Sequence, residues 1–238
     1  MIAPNTSKRL LRAGFAVAAA LALSGQSQNW VAEVERTEVS HIIGNPSARH
    51  TLTEFVSYTC GACGTFARLG EEVVKLSYVG MGRLRFEIRH IQRNEIDIAL
   101  TMAAWCGGKD KFKQNHTAIM WSQDRWLPKA ARPSPAQQTR WFTGAGPTKR
   151  KAILWDLDLY PLMESRGISR GELDACMSDD AFAERLVGAA TADLARYGID
   201  STPSFALDDA TLQGVHSWPE LAPVLSKLAT QAESPAEP

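Results

Sequence analysis

Two cysteines three residues apart, Cys60 and Cys63, stand where the pattern of the chain changes from strand to helix. Upstream, Leu52 to Val56 is apolar and β-branched; downstream, Phe66, Leu69, Val73, Val74 and Leu76 recur at helical spacing. A Cys-x-x-Cys at such a junction sets the first sulfur over a helix N-terminus, where unpaired N–H groups and the macrodipole favour a thiolate. The second sulfur lies one turn further on, close enough to close a small disulfide ring. The spacing points to reversible thiol–disulfide chemistry. Zinc sites also use this motif, but they need a second pair or nearby histidines at ligand spacing. Here there is one pair, and the histidines at 41, 50, 90, 116 and 216 are scattered. No metal is expected. Gly64 stands where a c-type haem attachment needs His. His116, in a helical stretch with Phe112 and Ile119, reads as a core histidine rather than a ligand.

Glu54 is the second informative residue. Period-2 alternation puts it on the same face as Leu52 and Val56, in a strand expected to be covered on both sides. A carboxylate there is costly to ionise, so its pKa should rise into the range of a proton relay for Cys63.

The elements that must position these groups follow from the same patterns. A strand over His50–Ser57, the redox turn, one long helix to about Val79 and a strand over Arg83–Ile91 make a βαβ unit with a parallel pair. Residues 27–36 read as a leader before a short strand at His41–Ile43. From 94 to 185 no strand is evident, and helices are expected over Ile96–Cys106, Lys109–Trp121, Thr148–Leu162, Ser169–Met177 and from Asp179-Asp180 to Tyr197. Residues 122–135 read as a loop, because their three prolines oppose a regular helix. The sheet returns with Ser204–Leu207, a turn at Asp208-Asp209 and a strand over Thr211–Val215, followed by a helix from Ser217 to Thr230.

Residues 1–26 carry a basic start (Lys8, Arg9, Arg12), an apolar run from Ala13 to Leu23 and small residues around Ala22 and Ser24, the pattern of a cleavable signal peptide. The run is too short for a bilayer core of about 30 Å. A periplasmic location is therefore expected. In an oxidising compartment four cysteines suggest disulfides, leaving Cys106 and Cys176 to pair with each other or to remain buried thiols. With 26 basic and 26 acidic residues the chain has no general pull toward nucleic acid or an acidic membrane surface.

The acid six residues before Cys-x-x-Cys, the helix after it, the helical stretch and the late Thr202-Pro203 before a strand together resemble the thioredoxin superfamily. The helical insertion is similar to that of its DsbA-like branch of periplasmic disulfide oxidoreductases. The resemblance implies an α/β thioredoxin fold with a helical domain inserted between the two halves of the sheet. The thioredoxin-like part would span 37–93 and 186–232 and the insertion 94–185, with a disordered tail at 233–238. It further implies Cys60 as nucleophile, Cys63 as resolving thiol, Glu54 as buried acid, and Pro203 as a cis-proline facing the dithiol, with Thr202 before it, at the substrate site. No bound cofactor is implied. Partners would be cysteine-containing exported polypeptides and a membrane redox partner of the DsbB-like or DsbD-like kind, with the protein itself a monomer.

The best-known oxidases of this branch carry Pro-His between the cysteines, where this chain has Gly61-Ala62. Without that histidine the helix terminus remains, worth at most about 2 kcal/mol or roughly 1.5 pKa units. A milder oxidant is expected. A reductase or isomerase, a non-catalytic chaperone or metal-capturing module, and a kappa-class glutathione transferase are the alternatives. The basic residues Arg125, Lys129, Arg132, Arg140, Lys149, Arg150 and Lys151 read as a solvated face, with a partner surface as the second reading.

Overall fold

A computed structural model describes residues 28–231. The expected signal segment at 1–26 and the tail at 233–238 lie outside the described residues. Six strands form one sheet in the order β1-β2-β4-β3-β5-β6: β1 Val34–Arg36, β2 Ser40–Ile43, β3 His50–Val56, β4 Leu84–His90, β5 Ser204–Leu207 and β6 Ala210–Thr211. β3 and β4 run parallel in the centre, and the other neighbours are antiparallel. The central pair alternates as a covered sheet must. Leu52, Glu54 and Val56 of β3 face the same way as their β4 partners Phe86, Ile88 and His90, and His41 of β2 joins them opposite Ile88.

Between β3 and β4 the chain forms α1 Gly61–Leu69, α2 Glu71–Val74 and a π-helical turn at Lys75–Val79, not the single helix expected. The interruption comes at Gly70, where a Cβ would lie 2.5 Å from the Phe66 ring. The chain trades helix continuity for that close packing. The long excursion after β4 is wholly helical: α3 Glu95–Trp105, α4 Lys109–Trp121, α5 Gln123–Ala131, α6 Pro135–Phe142, α7 Gly146–Asp156, α8 Leu159–Glu164, α9 Arg170–Met177 and α10 Asp180–Tyr197, with α11 Trp218–Gln231 closing the chain. α10 runs unbroken across residue 186, so the expected boundary there falls inside a helix.

Four expectations are corrected. The described part of the expected leader at 27–36, residues 28–36, is not plain: Trp30–Ala32 is a 3₁₀ turn and Val34–Arg36 is the edge strand, anchored by buried Val34. Residues 122–135 are not a loop. Pro128 sits inside α5, where buried Trp126 and Gln123 outweigh the missing N–H, and Pro135 is the first residue of α6 behind a Ser134–Gln137 capping box. The expected helix 148–162 is cut into α7 and α8 at Asp158, which takes a left-handed conformation (φ 56°). The returning strand β6 is only Ala210–Thr211, after a turn whose Asp208 and Asp209 both have positive φ.

Cys106 at the end of α3 and Cys176 in α9 are joined by a disulfide across 70 residues of chain. Much of the basic run is spent within the molecule. Arg140 pairs with Asp156 at 2.6 Å, Lys149 with Glu95 at 2.7 Å and Lys129 with Asp158, and buried Arg150 holds the Met177 carbonyl and Asp180.

Candidate active site

Cys60 caps α1 from an extended conformation, and its Sγ accepts the Cys63 N–H at 3.4 Å. Both cysteines are free thiols. Across the site the Thr202–Pro203 peptide bond is cis, and the Cys60 thiol donates to the Thr202 carbonyl at 3.0 Å. The structure therefore brings Cys60, Cys63, Thr202 and Pro203 together, from the two ends of the chain.

The two sulfurs are made unlike. Hydrogen bonding from the Cys63 thiol lowers the Cys60 pKa to about 5 against the pull of burial, helped by Thr202 and the N–H groups of Cys63 and Ala62. That is a larger drop than the helix terminus alone supplies. The neighbouring thiol and Thr202 make up the difference in place of a histidine between the cysteines. Cys63, fully buried, is pushed well up, first by desolvation and then by its hydrogen bond to Cys60. At neutral pH this favours a thiolate at Cys60, while Cys63 keeps its proton.

Glu54 is fully buried, and neither carboxylate oxygen has a hydrogen-bond partner among the described residues. Desolvation, then the charge of Glu71, raises its pKa well above the ordinary carboxylate range; Lys75 opposes this. It occupies the middle of β3 between Ile88 and Phe205, on the strand that delivers the chain to the redox turn. The charge of Glu54 adds to the rise at Cys63, and that of Cys60 adds to the rise at Glu54.

Several residues that hold this geometry were not singled out from the sequence. Asp97, in the first turn of α3, accepts from the Ser57 hydroxyl (3.0 Å), the Thr59 N–H and hydroxyl (2.9 Å each) and the Arg93 N–H (3.1 Å), fixing the turn before Cys60. From the other side Gln123 donates to the carbonyls of Tyr58 at 2.7 Å and Cys60 at 3.0 Å. A Cβ at Gly64 would fall 1.8 Å from the Gln123 oxygen, so that glycine makes room for the clamp. Gly64 was the one sequence signal for it. His116 is a core residue, and it also hydrogen-bonds the Tyr58 hydroxyl at 2.8 Å and Glu71 at 3.1 Å.

Two of the grooves that open beside the dithiol differ in size. One, of about 190 Å³, is lined by Ala62, Thr65, Phe66, Leu69 and Trp218. The other, of about 590 Å³, lies along Ile91, Arg93, Ser201 and Thr202. Among the described residues no helix is long and apolar enough to cross a membrane.

A profile of the family described as Thioredoxin matches residues 36–227. Among solved structures, the chain is similar to a protein-disulfide isomerase from Novosphingobium aromaticivorans, at 37% identity and a TM-score of 0.76, covering 79% of this chain and 97% of that one. Wolbachia pipientis alpha-DsbA1 (19% identity, TM-score 0.63, 80% and 91% covered) and BdbD from Bacillus subtilis (16%, 0.59, 85% and 100%) share the fold. None of the curated protein sequences compared matches. With a six-stranded sheet, a helical excursion between its halves and a Cys-x-x-Cys facing a cis-proline, the chain belongs to the thioredoxin family and has the fold of its DsbA-like thiol–disulfide oxidoreductases.

Proposed function

We propose that the protein is a thiol–disulfide oxidoreductase for exported polypeptides, working chiefly as an oxidase that donates its Cys60–Cys63 disulfide. The observation that carries this reading is the asymmetry of the two sulfurs, with Cys60 brought down to about 5 and Cys63 pushed up. A stabilised Cys60 thiolate favours the reduced dithiol, which makes the disulfide form a willing electron acceptor.

In that direction a substrate thiolate attacks the Cys60 sulfur and expels Cys63, which takes a proton from Glu54. A second substrate thiolate then attacks the mixed disulfide, and Cys60 leaves as a thiolate. The substrate loses two electrons to the Cys60–Cys63 disulfide, which becomes the dithiol, and a membrane redox partner takes them from it. In reverse, Cys60 attacks a substrate disulfide and Cys63 resolves it, with Glu54 taking the Cys63 proton. The backbone at Thr202 and the two flanking grooves suit an extended segment held mainly by its main chain, which tolerates varied sequence. The signal-like residues 1–26 support work in the periplasm.

An isomerase is the second reading, favoured by the 37% identity to a structure described as a protein-disulfide isomerase. Both readings need the same two sulfurs. Cys60→Ser should abolish exchange with a reduced, unfolded substrate, and Cys63→Ser should accumulate mixed disulfides through Cys60. Exchange that survives Cys60→Ser, or no trapped complex with Cys63→Ser, refutes the assignment. Oxidation of a reduced substrate without repair of a scrambled one separates oxidase from isomerase.

A further inference from the structure

Beside Glu54 lies a second buried carboxylate, from which a run of hydrogen bonds leads to Tyr58 and His90. Glu71 of α2 is 1% exposed. It is held by Lys75 at 3.3 Å and by His116 Nε2 at 3.1 Å. His116 Nδ1 and the Tyr58 hydroxyl share a hydrogen bond of 2.8 Å, and that hydroxyl lies 3.2 Å from His90 Nε2. Lys75 also pairs with Glu72, which is half-exposed. His90 shares the Glu54 face of the sheet by register, and Tyr58 lies two residues beyond the end of the strand that carries Glu54. A fully buried anion beside the redox site is expensive to maintain, and the proton acceptor assigned above does not by itself require one.

We propose that Glu71, held by Lys75 and His116 beside the sheet face that carries Glu54, is a positioning residue: its buried charge makes Glu54 a stronger base for the Cys63 proton, and Lys75 opposes it. This rests on the reading of Glu54 as that base. The surrounding groups leave few other sources of titrating charge. His41 of β2 is brought down to about 3 by burial, Arg36 and His116, and His90 of β4 is pushed well down by burial, so both are neutral near pH 7. Burial and the neighbouring carboxylates push Tyr58 up. Burial alone would raise Glu71, but His116 and Lys75 bring it below the ordinary carboxylate range. Burial would lower Lys75, but Glu71 and Glu72 raise it, so the pair stays ionised. Lys113 of α4 lies near Lys75, and burial lowers its pKa. On this face the other displaced groups are Glu54, pushed up by burial and by Glu71, and Cys60, brought down to about 5.

The test is ring closure with oxidised glutathione. The Cys60 thiolate attacks the glutathione disulfide and expels one glutathione thiolate. Cys63 then gives its proton to Glu54 and attacks the Cys60 sulfur, expelling the second; the dithiol is oxidised and the glutathione disulfide reduced. At saturating oxidised glutathione the closure rate is followed from pH 4 to 9 by acid quench and mass spectrometry. Glu71→Gln, which keeps an acceptor for His116, should move the acid limb to lower pH. Lys75→Met should move it to higher pH. Each displacement should be about half a pH unit or more, roughly threefold in rate at fixed pH on the limb. Loss of packing alone would not give opposite signs. In a Glu54→Gln background neither change should move the limb. If Glu54→Gln leaves the wild-type profile intact, Glu54 is not the base and the proposal falls with that reading. If Glu54→Gln removes the limb but Glu71→Gln and Lys75→Met shift it in the same direction or not at all, the role of Glu71 alone is overturned.

Discussion

Acidification should erase a stability advantage that the reduced protein holds only while Cys60 is ionised. In the folded dithiol Cys60 titrates at about 5, against about 8.5 for a free cysteine. A depressed folded pKa stabilises the folded reduced state fully above the unfolded value, and the contribution is lost as pH falls through 5. Burial pushes Cys63 up, so it does not titrate in this window. The oxidised protein has neither titration. Between pH 5 and 7 the reduced form should therefore gain on the oxidised form by about 2 kcal/mol. Urea denaturation of both forms at pH 5 and pH 7 measures it, with a non-thiol reductant keeping the dithiol reduced. Cys60→Ser should remove the pH dependence. A difference between the two forms that stays constant across this range would refute the assignment of Cys60 as the stabilised thiolate.

Two further outcomes follow from the packing. Replacing Cys106 and Cys176 together by alanine opens a 70-residue loop between α3 and α9 and should cost about 4 kcal/mol, read as a lower urea midpoint with the Cys60–Cys63 exchange rate preserved. Gly64→Ala should force the Gln123 side chain out of its place and break its bonds to the Tyr58 and Cys60 carbonyls, costing about 1–3 kcal/mol. Combined with Gln123→Ala it should cost clearly less than the sum of the two changes; additivity would show that the two residues do not share that contact.

What the sequence disclosed and what it hid divide along physical lines. β3 and β4 are covered strands whose apolar alternation marks them within a residue of their ends, and α4 coincides with its expected span, Lys109–Trp121. Glu54 was visible because a carboxylate breaks that alternation. The prolines of 122–135 misled because tertiary burial of Trp126 outweighs a local penalty, and because a proline behind a serine cap starts a helix as readily as it ends one. Asp97, Gln123 and Glu71 were hidden because their partners are 40 to 65 residues away or sit on another helix. Nothing local distinguishes such a residue from a polar side chain facing water. Only Gly64, a small residue on a helix packed against α4, recorded one of these contacts in its own identity.

The central claim is that the stabilised Cys60 thiolate makes this dithiol a disulfide donor. Its most direct test is the equilibrium reduction potential of Cys60–Cys63 against a glutathione buffer. The account predicts a value between about −120 and −180 mV, the range of oxidases and isomerases. A value at or below about −230 mV would place the protein with the reductases and contradict it.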